Sequence, residues 1–145
     1  MYSKNIQNYR KKYNQIKKTL ADTEKNYDDV TEKAKCHRCE KYYRGNVDKE
    51  LDRHNNCLSC DMYSIVEQAA KEEDIAVLEL ERLIDQYAQE VFEFYGKYKP
   101  HLRNKKTGET VTWIDEYGED FSVLSTIQRH SLVGLIENYG SFEVI

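Results

Sequence analysis

Four cysteines set the strongest constraint on this chain. They fall within 25 residues as Cys36-His-Arg-Cys39 and Cys57-Leu-Ser-Cys60, with seventeen residues between the inner pair. Each CxxC lets two sulfurs of one turn converge on a single ion, and two such turns close a tetrahedral thiolate shell at about 2.3 Å. The spacing therefore predicts a zinc site with Cys36, Cys39, Cys57 and Cys60 as ligands. Four thiolates leave no position for water, so the ion is expected to be structural. His37 and His54 are the alternative ligands, and with four cysteines present they are expected to stand by. Two disulfides would require export, and the start MYSKNIQNYRKKYNQ lacks the apolar stretch of a signal peptide. A thioredoxin-like site uses one CxxC, and iron-sulfur ligation usually clusters cysteines more tightly. Lys35, Arg38, Lys41 and Arg44 lie near the ligands and can offset the negative charge of a tetrathiolate.

Hydrophobic periodicity organises what lies on either side. Tyr2, Ile6, Tyr9, Tyr13, Ile16, Leu20, Thr23, Tyr27, Val30 and Ala34 alternate steps of four and three, and no Gly or Pro interrupts residues 1–44. That is a heptad seam, and it predicts one long helix over residues 1–35. After the metal segment at 36–60, a second helix is expected over 61–98. Met62, Ile65, Val66, Ala69, Ala76, Leu80, Leu83, Tyr87, Val91, Phe94 and Tyr98 keep helical spacing, with Glu73 the charged interruption and Gly96 and Pro100 as stops. Two helices of similar length joined by a metal segment predict an antiparallel, coiled-coil-like hairpin with a four-cysteine zinc site at its tip. The basic start and the acidic second helix suit that orientation. Residues 1–20 carry six basic side chains and no acidic one, while 61–96 carry ten acidic and two basic. Tyr-rich seam positions need partners for their hydroxyls, from the chain's own C-terminus or from a bound molecule.

Residues 99–145 change texture. HLRNKKTGETVTWI reads as two strands around Lys106-Thr107-Gly108-Glu109, with Val111, Trp113 and Leu102 on one face. DFSVLSTIQRHSLVGLIENYG reads as a third helix with Phe121, Leu124, Ile127, Leu132, Leu135, Ile136 and Tyr139 as its apolar stripe. Gly134 within it predicts a close packing contact, and SFEVI suits a short strand. The expected fold is mainly α and a single domain, with a small β-hairpin and a C-terminal helix packed on the long-helix hairpin.

The functional reading follows from the same residues. No GxSxG, Gly-rich phosphate loop or HExxH occurs, no HxE precedes Cys36, and His37, His54, His101 and His130 lie in unrelated places. A non-enzymatic role is expected. No run of about 18 apolar residues is available for a membrane span, which points to a cytoplasmic protein without membrane contact. Tyr42, Tyr43, Arg44 and Arg53, near the cysteines and without core duty, are the candidate partner-binding residues at the tip. Arg10, Lys11, Lys12, Lys97, Lys99, Arg103, Lys105 and Lys106, interleaved with Tyr9, Tyr13, Tyr95, Tyr98 and Trp113, form a candidate nucleic-acid-binding pole. Against it, residues 109–145 hold seven acidic side chains and one basic, which can neutralise that pole in cis. Exposed heptads also allow a homo-oligomeric coiled coil.

The spacing CxxC, seventeen residues, CxxC, followed directly by a helix, resembles the zinc finger of bacterial transcription factors of the DksA/TraR type, which carry a coiled coil and act on RNA polymerase. The resemblance covers about 25 residues and implies the four cysteine ligands only. The inner loop EKYYRGNVDKELDRHNN lacks that family's Gly after the second cysteine and its Pro and Arg-Leu pattern, and here a coiled-coil arm lies on each side of the metal. Heavy use of Lys, Asn, Ile and Tyr with one Pro suits an AT-rich genome, such as a low-GC bacterium or its phage. The leading expectation is a zinc-stabilised interaction protein, a phage-encoded regulator or inhibitor that binds a host macromolecular machine.

Overall fold

A computed structural model describes residues 2–34 and 63–145. They are mainly helical with one small antiparallel sheet. Helix α1 spans Lys4–Ala34 and α2 spans Tyr63–Gly96. Strand β1 (His101–Asn104), strand β2 (Thr110–Thr112), helix α3 (Trp113–Tyr117), a 3₁₀ turn (Phe121–Val123), helix α4 (Thr126–Glu137) and strand β3 (Phe142–Val144) follow. The chain divides into two compact units, Met1–Gln15 with Glu79–Ile145, and Ile16–Leu78.

In the first unit the start of α1 runs antiparallel to the end of α2. Tyr2 meets Phe94 edge-on at 6.0 Å between ring centroids, while Tyr9 and Tyr13 both reach Tyr87 at 5.9 Å. Higher numbers on one helix thus face lower numbers on the other. Ile6, Tyr13, Leu83, Tyr87 and Val91 are buried along this seam, as the heptad spacing requires. Helix α2 also buries a second face. Ile84, Ala88 and Tyr95 are buried, and Phe92 and Tyr95 each lie 5.8 Å from Trp113. The C-terminal elements supply the cover for that face.

Helix α2 closes on Lys99, whose φ of 42 returns its amide to the Tyr95 carbonyl at 2.8 Å. Pro100 then forbids another helical turn. Strand β1 takes the centre of the sheet, in the order β2-β1-β3. Leu102 pairs with Val111 on one side and Val144 on the other, and it is fully buried. The turn between β1 and β2 is set by Asn104, whose Oδ1 accepts the amides of Lys106 and Thr107, with Gly108 at φ 75 completing it. Helix α4 starts in a full capping box. Ser125 Oγ accepts the Gln128 amide, and Gln128 Oε1 accepts the Ser125 amide.

In the second unit, Asn26 and Val30 of α1 share an open cavity of about 320 Å³ with Ser64, Ile65, Gln68, Ala69 and Glu72 of α2. Ala69 and Ala76, one heptad apart, are its buried apolar residues among those described. The α1 seam positions Ile16, Leu20, Thr23, Tyr27 and Val30 are only half-buried.

The short strand expected in SFEVI is present as β3 on the second edge of β1, so the expected β-hairpin widens to a three-stranded sheet. Other expectations need correction. Trp113 belongs to no strand: Thr112 Oγ1 accepts the Asp115 amide and starts α3 at Trp113. The expected third helix is divided, since Asp120 caps a 3₁₀ turn and Ser125 caps α4 separately. Ile127 is 82% exposed and lies outside the apolar stripe. At roughly 100° per residue it sits on the side of α4 opposite Ile136, nine positions on. The helix expected over 1–35 begins at Lys4 and the helix expected over 61–98 ends at Gly96; residues 35, 61 and 62 lie outside the described residues.

Candidate functional site

The four candidate zinc ligands Cys36, Cys39, Cys57 and Cys60, the alternatives His37 and His54, and the tip residues Tyr42, Tyr43, Arg44 and Arg53 lie outside the described residues. Among the described residues no group of three His, Cys, Asp or Glu could hold a metal ion. The candidate pole of eight cations falls wholly within the first unit and is described throughout.

Three of those eight cations are engaged by carboxylates of the C-terminal segment. Arg10 Nε lies 3.3 Å from Glu137, Lys99 Nζ 2.6 Å from Glu119, and an Arg103 guanidinium nitrogen 2.6 Å from Glu143. Lys105 Nζ donates to Asn138 Oδ1 at 2.9 Å. Arg10 and Lys105 thus come from α1 and from the end of β1 to the C-terminus of α4, where unpaired carbonyls favour cations. Lys12 lies over the Tyr9 ring at 5.7 Å. For Lys11, Lys97 and Lys106 no side-chain ion pair is seen among the described residues. Lys105 and Lys106 line an open cavity of about 290 Å³ with Asn104, Thr107 and Ser141.

The aromatic side chains of the pole divide differently. Tyr13, Tyr95 and Trp113 are buried and pack in the core, so they present no face to a base. Tyr98 is 58% exposed and Tyr9 is half-buried.

Sequence reasoning missed the polar centre of this unit. Glu137, its side chain only 11% exposed, accepts the Tyr87 hydroxyl at 2.8 Å as well as Arg10. Burial, then the hydrogen bond to this carboxylate, pushes the Tyr87 phenol well up from its ordinary range. Tyr139, stacked on Tyr13 with centroids 6.4 Å apart, is likewise raised, by burial and then by its bond to Tyr13. Burial pushes Tyr117 up to about 12, opposed by its bond to Ser131 at 2.6 Å. These phenols are held protonated and act as donors or packing groups. The signal for the cluster was the run of seam tyrosines, whose hydroxyls had to find acceptors. At the surface, Lys99 holds the Glu119 carboxyl below its usual range, and the Ser122 hydroxyl and amide do the same for Asp120. Glu116 moves the other way, raised by burial.

No protein-family model, no curated protein and no solved structure matches this chain. No helix among the described residues is long and apolar enough to cross a membrane.

Proposed function

We propose that the chain is a non-enzymatic interaction protein, a helical hairpin clasped by a structural zinc ion on Cys36, Cys39, Cys57 and Cys60. Its partner is a protein, bound in part through Tyr42, Tyr43, Arg44 and Arg53. The observation that carries this reading lies in the second unit. Val30, near the end of α1, and Ser64 and Ile65, at the start of α2, line the same cavity, so the cysteine-bearing segment leaves and returns at neighbouring places. A tetrahedral ion there would fix two helix ends that bury few apolar side chains of their own. Its four thiolates would leave no ligand position for a substrate, which suits a regulator or inhibitor of a larger assembly, phage-encoded by the compositional argument.

The test is elemental analysis of the purified chain together with cobalt substitution. One metal ion per chain and the intense sulfur-to-cobalt absorption of a tetrathiolate are expected, with Cys36→Ser and Cys60→Ser each losing the ion. Metal-free protein with unchanged helicity would end the proposal. Alanine at the four tip residues should abolish partner capture without releasing zinc.

Lys11, Lys97 and Lys106 support a second reading, nucleic-acid binding by the basic pole. It requires affinity that falls steeply with salt and drops when these three are neutralised; a flat gel-shift response removes it. Self-association through the seam is the third reading, and light-scattering mass decides it.

A further inference from the structure

The start of α1 carries a face that the fold leaves open. Lys4, Asn8, Lys11 and Asn14 step by four, three and three residues. At about 100° per residue they share the side of the helix opposite Ile6 and Tyr13, which are 0% and 5% exposed. All four are exposed, and none has a side-chain partner among the described residues. Lys12 flanks them, over the Tyr9 ring. No acidic residue precedes Asp22, and these residues all belong to the first unit. The nearby carboxylates of the C-terminal segment are committed to other cations, Glu137 to Arg10, Glu119 to Lys99 and Glu143 to Arg103. Neutralisation in cis thus falls on those three, and Lys4 and Lys11 keep their charge open.

We propose that this face binds duplex DNA, with Lys4 and Lys11 on phosphates and Asn8 and Asn14 toward the base edges of the major groove. The inference rests on the nucleic-acid reading above and narrows it to one helix face and one kind of nucleic acid. The make-up of the face decides the occupant. A protein interface is centred on apolar or aromatic anchors, and no large apolar side chain of α1 in this unit is exposed. That lack weighs equally against a second copy of the chain. A DNA interface is polar and positively charged and needs no such anchor. A single strand needs open rings on which to stack its bases, whereas Tyr13 is buried and Tyr9 is half-buried. Duplex RNA has a major groove too deep and narrow to be read by side chains, while that of B-DNA admits a helix.

The probe is a labelled 16-base-pair DNA duplex, titrated with the full chain by fluorescence anisotropy over a series of salt concentrations. Saturable binding is expected, with log affinity falling against log salt at a slope of about −3 for contacts from Lys4, Lys11 and Lys12. The Lys4→Gln, Lys11→Gln double variant should bind at least about tenfold more weakly and lose about two from that slope. Asn8→Ala with Asn14→Ala should weaken binding and leave the slope unchanged. Lys97→Gln with Lys106→Gln should bind within about twofold of the parent, and circular dichroism checks that every variant folds. Undiminished binding in the Lys4/Lys11 variant overturns the proposal. A loss confined to the Lys97/Lys106 variant also overturns it, while keeping nucleic-acid binding by the rest of the pole. Lack of saturable binding to duplex DNA, single-stranded DNA or duplex RNA ends both readings. Displacement of the duplex by an equal concentration of single-stranded DNA or duplex RNA, or by poly-glutamate at equal charge, would give the face to that class of partner instead.

Discussion

Glu137 joins parts of the chain that are far apart in sequence, taking Arg10 from 127 residues away and Tyr87 from 50. Removing it strands the Tyr87 hydroxyl in a residue of no exposed area, whereas Tyr87→Phe removes only the donor. Glu137→Ala should therefore cost about 2–3 kcal/mol and Tyr87→Phe about 1–2, measured by urea denaturation. Equal costs would show that water satisfies the hydroxyl. Gly134 offers a sharper test, because a Cβ there would stand 2.6 Å from the Gly140 amide nitrogen. Ala improves helix propensity by about 1 kcal/mol, but backbone overlap outweighs that, so Gly134→Ala should destabilise by roughly 1–3 kcal/mol. The position was readable as a packing glycine from its place inside an apolar helix, but its neighbour was not, since that neighbour is backbone. The tyrosines set the alkaline limit. Tyr117 is held at about 12 against an ordinary 10.0, so folding favours its protonated form. Its contribution is complete below pH 10 and is lost as pH rises from there through about 12. Tyr87, Tyr95 and Tyr139 shift in the same direction. Tyrosinate absorbance from these four should thus develop in step with unfolding.

Among the elements, α1 was the most readable, because a helix that packs along one side shows a single period. Every described seam position from Tyr2 to Val30 is buried or half-buried. Helix α2 was half-readable: its seam was plain, but Ile84, Ala88, Phe92 and Tyr95 form a second apolar face that one heptad cannot represent. A helix covered on two sides superposes two stripes. The C-terminal helix was misjudged because its apolar residues were read through its caps. Ser125 and Gln128 form an S-x-x-Q box that marks a start, and Asp120 with Ser122 marks another. Ser125→Ala should cost about 1 kcal/mol, checked as a shift in the thermal midpoint. Gln128→Ala should cost more, since its amide also donates to the Glu116 carbonyl at 2.8 Å and ties α4 to α3.

At the scale of the molecule, burial differs between the two units. The first encloses Trp113, Tyr87, Tyr117 and Leu132, each at most 1% exposed, while the described part of the second buries two alanines. If zinc clasps the hairpin, a strong chelator should lower helicity and raise amide exchange in residues 16–34 and 63–78. Trp113 emission should stay that of a buried indole. Simultaneous loss of both signals would mean that one cooperative fold depends on the ion. The metal motif rests on spacing alone, with its four cysteines outside the described residues; the tyrosine and carboxylate centre could not be read from the sequence, because its members come from three distant helices. That reach bears on synthesis. A ribosome releases residues in order, so the face of Tyr9, Arg10 and Tyr13 emerges early, and Glu137 and Tyr139 come more than a hundred residues later. During translation these side chains stay uncovered, and a holdase that shields nascent aromatic segments should raise the yield of folded chain.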